Sequence, residues 1–302
     1  MKRILLAILI VFCAVTFINA QGLTSKKGIP ILPQKGDYAL GVNATPFLNY
    51  LGNFMNGNTN NTNTVNFSFV SNSVNTIYGK YFLEDDKAVR VNFRFGKITE
   101  TQKVFIMKDI SPVPVPPVLP TEEVVEDSWK NSQTIIALSG GLEKRRGHGR
   151  VQGIYGGDIG IIFMSEKNTY EYGNPINADY PSPDRTSFNF GDNYVGTNFI
   201  GNDEWITECK EGSVFGFSIR GFVGVEYFFA PKISIGGEFG WGIGFYSMGE
   251  GEQTSESWNI TTITTPPQNP YLVEKTTKEA GGSTFRIDTD NLNGVVIILF
   301  YF

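Results

Sequence analysis

Two stretches of the chain alternate bulky apolar residues with small, polar or charged residues. In 213–228 ("SVFGFSIRGFVGVEYF") and 232–247 ("KISIGGEFGWGIGFYS"), aromatic and branched aliphatic residues occupy one parity, and glycine, serine and charged residues occupy the other. Successive side chains of a β-strand point to opposite faces, so a period of two predicts strands with two unlike faces. This alternation restricts the fold more than any other feature, because no helix satisfies it.

The same alternation recurs along the chain and predicts an all-β fold of about eight strands, with no helical segment after the first twenty residues. The predicted strands are residues 38–50, 75–83, 87–96, 133–145, 151–163, 213–228, 232–247 and 293–302.

The connections between these strands alternate in length. Short connections at 84–86, 146–149 and 229–231 are interleaved with long ones at 51–74, 106–132, 174–212 and 249–285. This order is typical of an up-and-down antiparallel transmembrane β-barrel, with short periplasmic turns and long extracellular loops. An even number of strands predicts that both ends of the mature chain lie in the periplasm.

A soluble β-sandwich or barrel would show the same alternation, because parity alone does not say which face is inside. Here the apolar faces are aromatic and large, and 14% of all residues are aromatic. The opposite faces carry glycine, serine and scattered charge. The long connections are also unusual for a compact soluble barrel. We therefore expect the charged faces to point inward and the apolar faces to meet lipid.

The first twenty residues have the features of a secretory signal peptide. Lys2 and Arg3 precede an apolar stretch at 4–15, and Ala20 is a suitable residue before a cleavage site. The sequence thus predicts three parts: signal peptide 1–20, periplasmic lead segment 21–37 and outer-membrane barrel 38–302. The mature chain would retain Cys209 alone and could form no intrachain disulfide.

The last ten residues, "NGVVIILFYF", are apolar on both faces. Ten residues cannot cross a bilayer as a helix, but about 9–11 suffice for a tilted strand. Phe302, Phe300 and Ile298 share one face and resemble the carboxy-terminal signal that the barrel assembly machinery reads. The other face, which includes Leu299 and Tyr301, predicts a dry periplasmic end filled by side chains or contact with segment 21–37.

Several stretches resemble small, eight-stranded outer-membrane β-barrel proteins of Bacteroidota-type Gram-negative bacteria. They are "GDYALGVNATPFLNYLGN", "IYGKYFLEDDKAVRVNFRFG", "RRGHGRVQGIYGGDIG" and the closing aromatic strand. The resemblance covers about residues 38–302, and the "RGxGRxQGxYG" pattern is its most distinctive part. It implies an outer-membrane location and this fold, and it implies little about chemistry.

Charged residues on the predicted inner faces form the most informative constellation. They comprise four cations and three carboxylates: Lys80, Arg90, Arg94, Asp158, Arg220, Glu226 and Glu238. An eight-stranded barrel is only wide enough for its own side chains, so these charges should pair with one another. Such a network would hold the strands together, whereas a gated polar path for small solutes would more often show an excess of one sign.

Catalytic and metal chemistry have little support in the sequence. The only histidine, His148, falls in a predicted periplasmic turn, and one histidine with one mature cysteine cannot supply a zinc site. The sequence therefore predicts no enzyme activity, no cofactor and no metal. The third long connection contains aromatic residues that could bind a partner or fold the loop upon itself: Tyr170, Tyr172, Tyr180, Tyr194 and Trp205.

The function predicted from the sequence is that of a structural or interaction protein. Its barrel would anchor four long surface loops, and the protein would form part of a larger envelope complex. The expected partners are outer-membrane lipid and lipopolysaccharide, the assembly machinery during insertion, and another envelope protein. A net charge of −5 without a basic stripe excludes nucleic acid. A narrow channel for solutes or ions is the alternative function, and a lipid-processing enzyme is disfavoured by the position of His148.

Overall fold

The structure, a computed structural model, describes residues 23–43, 77–109, 123–181, 186–187, 199–201, 204–259, 271–289 and 295–302. The predicted signal peptide and the predicted connection 51–74 lie outside these residues. The described part is all-β, with thirteen strands and no helix. The strands are β1 Tyr38–Asn43, β2 Ile77–Glu84, β3 Lys87–Met107, β4 Val124–His148, β5 Val151–Glu171, β6 Phe199–Gly201, β7 Glu204–Lys210, β8 Val214–Ala230, β9 Ile233–Met248, β10 Gly251–Asn259, β11 Tyr271–Glu279, β12 Gly282–Thr289 and β13 Val295–Tyr301.

Eight strands pair in a closed antiparallel ring. The order is β1, β2, β3, β4, β5, β8, β9 and β13, and β13 pairs back onto β1 through Ala39↔Tyr301 and Val42↔Ile298. Ring closure gives every one of these strands a hydrogen-bonded neighbour on each side. The predicted all-β architecture with an antiparallel ring of eight strands is therefore confirmed for the described part of the chain, whereas the predicted total of about eight strands was too low, because the described part contains thirteen.

The three predicted short connections are tight turns at one end of the ring, here named the turn end. Two-residue turns at 85–86, 149–150 and 231–232 join β2 to β3, β4 to β5, and β8 to β9. Gly149 and Lys232 adopt positive φ angles of 69° and 60°. Glycine adopts a positive φ angle without steric cost, whereas the side chain of Lys232 makes this conformation less favourable.

The predicted long connections 106–132, 174–212 and 249–285 are not loops throughout, because strands occupy part of each. β3, β4 and β5 continue well beyond their predicted bounds, and β7, β10 and β11 lie entirely within the predicted loops. These segments are polar, so hydrophobic alternation stops although backbone pairing continues. The register between β3 and β4, for example, is unbroken from Lys87↔Lys144 to Met107↔Val124.

The added strands form a sheet beyond the ring, here named the extension. It comprises the ends of β3, β4 and β5 that lie away from the turn end, together with β7, β10 and β11. Three strands break briefly where the extension joins the ring, at 211–213, 249–250 and 280–281. A Cβ on Gly212 would lie 2.2 Å from the carbonyl oxygen of Gly249, and one on Gly281 would lie 2.2 Å from that of Met248. Glycine is required here because neighbouring backbones approach too closely for a side chain.

The lead segment packs into the turn end of the ring. Ile31 is 2% exposed and clusters with Phe82, Phe228, Leu299 and Tyr301. Backbone hydrogen bonds fix the segment, including Lys232 N to Ile31 O at 3.2 Å. The inner face of β13, with Leu299 and Tyr301, therefore lies in an end of the ring that side chains fill, and it also contacts the lead segment. Both arrangements were predicted from the sequence.

The outer surface of the ring is apolar. Large side chains are exposed around it, among them Val91, Phe93, Phe95, Leu138, Leu142, Tyr155, Ile159, Ile161, Phe215, Phe217, Val223, Phe239, Trp241 and Phe245. On the last strand, Phe300 and Phe302 are exposed and Ile298 is half-buried. Among the described residues, no helix has the length and hydrophobicity needed to cross a membrane.

Candidate functional sites: the ring interior and the cleft of the extension

The ring interior contains the charged residues that the sequence predicted to point inward. Six of the seven are buried, and Arg220 keeps 23% of its side chain exposed. The structure adds Glu143 and Arg145 of β4, which are 2% and 5% exposed. The sequence did not assign these two, because "LSGGLEKR" gives β4 no clear apolar parity. Pairing of β4 with β3 and β5 decides the question, since Glu143 lies opposite both Ala88 and Gly156.

One layer of the interior pairs two arginines with two carboxylates. Arg90 donates from both terminal nitrogens to Glu238, at 2.8 and 3.1 Å, and its Nε lies 3.3 Å from Asp158. Arg220 Nη1 lies 2.9 Å from Glu238 and 3.4 Å from Asp158. The Arg90 guanidinium also lies 4.1 Å from the ring centroid of Phe222. Planar, two-pronged pairing of this kind fixes both the distance and the orientation of the strands involved.

A second layer lies closer to the turn end. Lys80 Nζ is 2.8 Å from Glu143, and Arg145 Nη2 is 2.7 Å from Glu226. Glu226 also accepts hydrogen bonds from the hydroxyls of Ser234 and Tyr301. Arg90 Nη1 lies 3.7 Å from Glu143 and so connects the two layers.

The paired charges are balanced. Together the two layers hold four cations and four carboxylates, which are Lys80, Arg90, Arg145, Arg220, Glu143, Asp158, Glu226 and Glu238. Arg94 is also buried, four residues beyond Arg90 on the same face of β3. Desolvating an ion is expensive unless its partners are close, so opposite signs must alternate in such a space. The arrangement suits a packed structural interior better than a site for a charged solute.

Aromatic side chains close the interior below the second layer. The guanidinium of Arg145 lies 4.9, 5.3 and 5.7 Å from the ring centroids of Phe82, Phe228 and Tyr301. Phe82 and Phe228 are 1% and 0% exposed. The interior therefore passes from ion pairs to an apolar floor and then to Ile31 of the lead segment.

The aromatic residues predicted for a loop surface lie instead on and beside the extension. Tyr170 and Trp205 are each 5% exposed, and Tyr170 packs with Trp129 and Ile206. The rings of Tyr172 and Trp205 are 5.7 Å apart and tilted by 58°. Tyr180 is half-buried, and Tyr194 lies outside the described residues. Most of these aromatic residues pack together, as in the prediction of a segment that folds upon itself. Part of the same cluster borders a cavity, which is the feature that a binding surface requires.

This cavity, here named the cleft, has a volume of about 240 Å³. Its lining residues are Tyr170, Glu171, Tyr172, Asn174, Pro175, Ile176, Thr186, Trp205, Thr207 and Glu256. Strands β5, β7 and β10 supply one wall, and the segment after β5 supplies the other. The volume is below the roughly 300–1,000 Å³ typical of drug-sized ligands, so the cleft suits one small group.

Asp127 attaches the segment after β5 to the extension. Its two carboxylate oxygens accept hydrogen bonds from the backbone N–H groups of Gly173, at 2.8 Å, and Ser187, at 2.7 Å. Asp127 is fully buried, and burial raises the pKa of its carboxyl group although the two N–H groups oppose the shift. A second attachment joins Asn174 to the backbone of Asp109 at 2.9 Å and of Met107 at 3.0 Å. These bonds hold the outer wall of the cleft in place.

Glu256 is the least compensated carboxylate of the extension strands β7 and β10. It lies directly opposite Glu274 of β11, and burial first, then the Glu274 carboxylate, raise the pKa of Glu256. Other carboxylates of the same strands have lysine partners: Glu204 with Lys275, Glu208 with Lys167 and Lys210, and Glu252 with Lys210. Within the described residues, neither a hydrogen bond nor an ion pair compensates Glu256.

The remaining candidates for chemistry do not form a site. His148 is exposed at the turn end. Cys209 is half-buried on β7, and burial raises the pKa of its thiol, which disfavours the reactive thiolate. In the part of the chain that the structure describes, no three His, Cys, Asp or Glu side chains come together as metal ligands would.

Comparison of the chain with protein-family models, with curated proteins and with solved structures yields no match in any of the three.

Proposed function

We propose that the ring is a transmembrane β-barrel in the outer membrane of a Gram-negative bacterium, and that the protein is a non-enzymatic anchor for an interaction surface. The resemblance to small Bacteroidota-type barrel proteins belongs to the same proposal. The lead segment and both termini would lie in the periplasm, and the extension would project from the cell. The extension would bind another component of the envelope and make the protein a subunit of a larger complex.

One observation carries the membrane assignment: the ring has ion pairs inside and large apolar side chains outside. A soluble closed sheet buries its apolar face and exposes its polar face to water. Exposing side chains such as Phe95, Phe217 and Trp241 to water would be unfavourable, whereas lipid accommodates them. Closing the ring also satisfies backbone groups that would otherwise meet lipid unpaired.

The geometry supports an anchor over the alternative function of a narrow channel. Two balanced layers of ion pairs, an aromatic floor and the lead segment follow one another along the interior. A permeating ion would have to break these contacts, and the two layers of ion pairs offer no excess of one sign to attract it. The extension, by contrast, presents an ordered polar sheet and a cleft, which support recognition as the role of the part outside the membrane.

Cell fractionation combined with gel mobility tests the location. The mature protein should be recovered with outer membranes, and unheated samples should migrate differently from boiled ones because a closed barrel resists detergent. Recovery in the soluble periplasm would contradict the membrane assignment. Affinity purification from native membranes then tests the role, with a stoichiometric envelope partner as the expected result and elution of the protein alone as the contrary one.

A further inference from the structure

The cleft combines aromatic walls with negative charge. Tyr172 and Trp205 form a corner of two tilted rings, and Glu171 and Glu256 contribute carboxylates. No lysine or arginine is among the described residues that line it. Aromatic faces attract cations through the negative charge above the ring, and carboxylates attract them directly.

The negative charge of Glu256 lies in an unfavourable position within the sheet. Strand pairing places Glu256 and Glu274 opposite each other, and like charges in directly opposed positions destabilise a sheet. Lysines compensate neighbouring carboxylates of the same strands, whereas none of the described lysines or arginines pairs with Glu256. A bound cation would supply the missing compensation, and a neutral ligand such as a sugar would not.

We infer that the cleft between the Tyr172–Trp205 corner and Glu256 binds a single organic cation, an ammonium or guanidinium group on a short apolar stem. The volume of about 240 Å³ accommodates one such group rather than a larger ligand. The hydrogen bonds of Asp127 to Gly173 and Ser187 preform the outer wall, so little ordering free energy is spent on binding. This inference deepens the proposed function, because it gives the chemistry by which the extension would recognise its partner.

Isothermal titration calorimetry on the full mature protein in detergent tests the inference. The probes are N-acetyl-lysine methylamide, N-acetyl-arginine methylamide and butylamine, with N-acetyl-norleucine methylamide and glucose as neutral controls. We expect saturable binding of at least one cationic probe and none of the neutral ones. Binding of the capped amino acids indicates a polypeptide source for the cation, and binding of butylamine alone indicates a free amine; either result supports the inference.

The variant Glu256→Gln should weaken binding of the cationic probe by about tenfold or more, because a charge-assisted contact is lost. Glu208→Gln is the matched control: it makes the same chemical change on β7, at a carboxylate that does not line the cleft, and should leave affinity unchanged. A heat-dependent mobility shift in each variant verifies that it is folded.

Three results would overturn the inference: no saturable binding of any cationic probe, equal binding of the norleucine control, or equal affinity in Glu256→Gln and the wild type. These results leave the membrane location untouched, since fractionation and gel mobility establish that separately. Conversely, a soluble periplasmic protein that still bound the cation through Glu256 would refute the anchor and retain the site.

Discussion

At the residue scale, the ring interior depends on pairs whose members lie far apart in the sequence. Arg90 and Glu238 are 148 residues apart, and Arg145 and Glu226 are 81 apart. Parity alone assigns Arg90, Glu226 and Glu238 to the inner face, because their strands alternate cleanly. It cannot assign a cation to a carboxylate, since that depends on the register between distant strands.

Arg90→Leu should destabilise the protein strongly. The change leaves Glu238 with Arg220 alone and removes the guanidinium beside Asp158, and removing one member of a buried pair typically costs about 3–5 kcal/mol. Arg220→Leu should cost less, because water reaches the partly exposed Arg220 site. Urea unfolding in lipid vesicles, followed by tryptophan fluorescence, measures both free energies of unfolding.

Arg146→Leu is the control for this series, because Arg146 is exposed at the turn end. It should change the free energy of unfolding by less than about 0.5 kcal/mol. Equal losses for Arg90→Leu and Arg146→Leu would contradict the structural role of the network.

At the element scale, the strands divide into ring segments and extension segments at the glycine-rich joint. The ring pairs of β8 and β9 run from Val214↔Met248 to Ala230↔Ile233 and include no residue of β10 or β11. The sequence shows the joint only as scattered glycines such as Gly212 and Gly281. Their need for close backbone approach becomes apparent once the strands are placed side by side.

Removing the β10–β11 hairpin should therefore leave the ring folded. Residues 253–277 can be replaced by Asn-Gly, a turn that suits the paired ends Glu252 and Lys278. We expect a normal heat-dependent mobility shift and no binding of the cationic probe that the wild type binds, because Glu256 is removed. Gel mobility and calorimetry measure the two outcomes.

A shorter replacement provides the control. Substituting 260–270 with Asn-Gly joins Asn259 to Tyr271, which are also paired, and retains Glu256 in β10. This variant should keep both the mobility shift and the binding of the probe. Loss of the mobility shift in the longer replacement alone would show that the ring requires the hairpin.

At the scale of the whole molecule, three features stabilise the closed ring: its apolar outer surface, the ion pairs of its interior, and the side chains that fill its turn end. The lead segment blocks the turn end of a ring whose interior the two charge layers already fill. Obstruction of the interior therefore does not depend on a single residue. Ile31 contacts the apolar floor, whereas Arg90 and Glu238 belong to the layer farther from the turn end.

Planar-bilayer recordings should accordingly show no steady openings for the wild type. The variant Ile31→Asp should also remain closed, because both charge layers still obstruct the interior, although burial of an unpaired carboxylate should lower its stability by several kcal/mol. Ile31→Val is the conservative control for the packing change. Steady openings in the wild type would favour the channel, and openings in Ile31→Asp alone would identify the lead segment as the barrier.

The sequence by itself determined the strands with clear alternation, their two faces and the three tight turns, because a period of two and the turn residues are local properties. Tertiary structure alone decided the register in which β13 pairs with β1 to close the ring, the inner positions of Glu143 and Arg145, and the continuation of β3, β4 and β5 into a polar sheet. It also decided the cleft, which brings Tyr172, Trp205 and Glu256 together from three separate strands or segments. These features depend on pairing between residues distant in the chain, and local periodicity carries no information about such register.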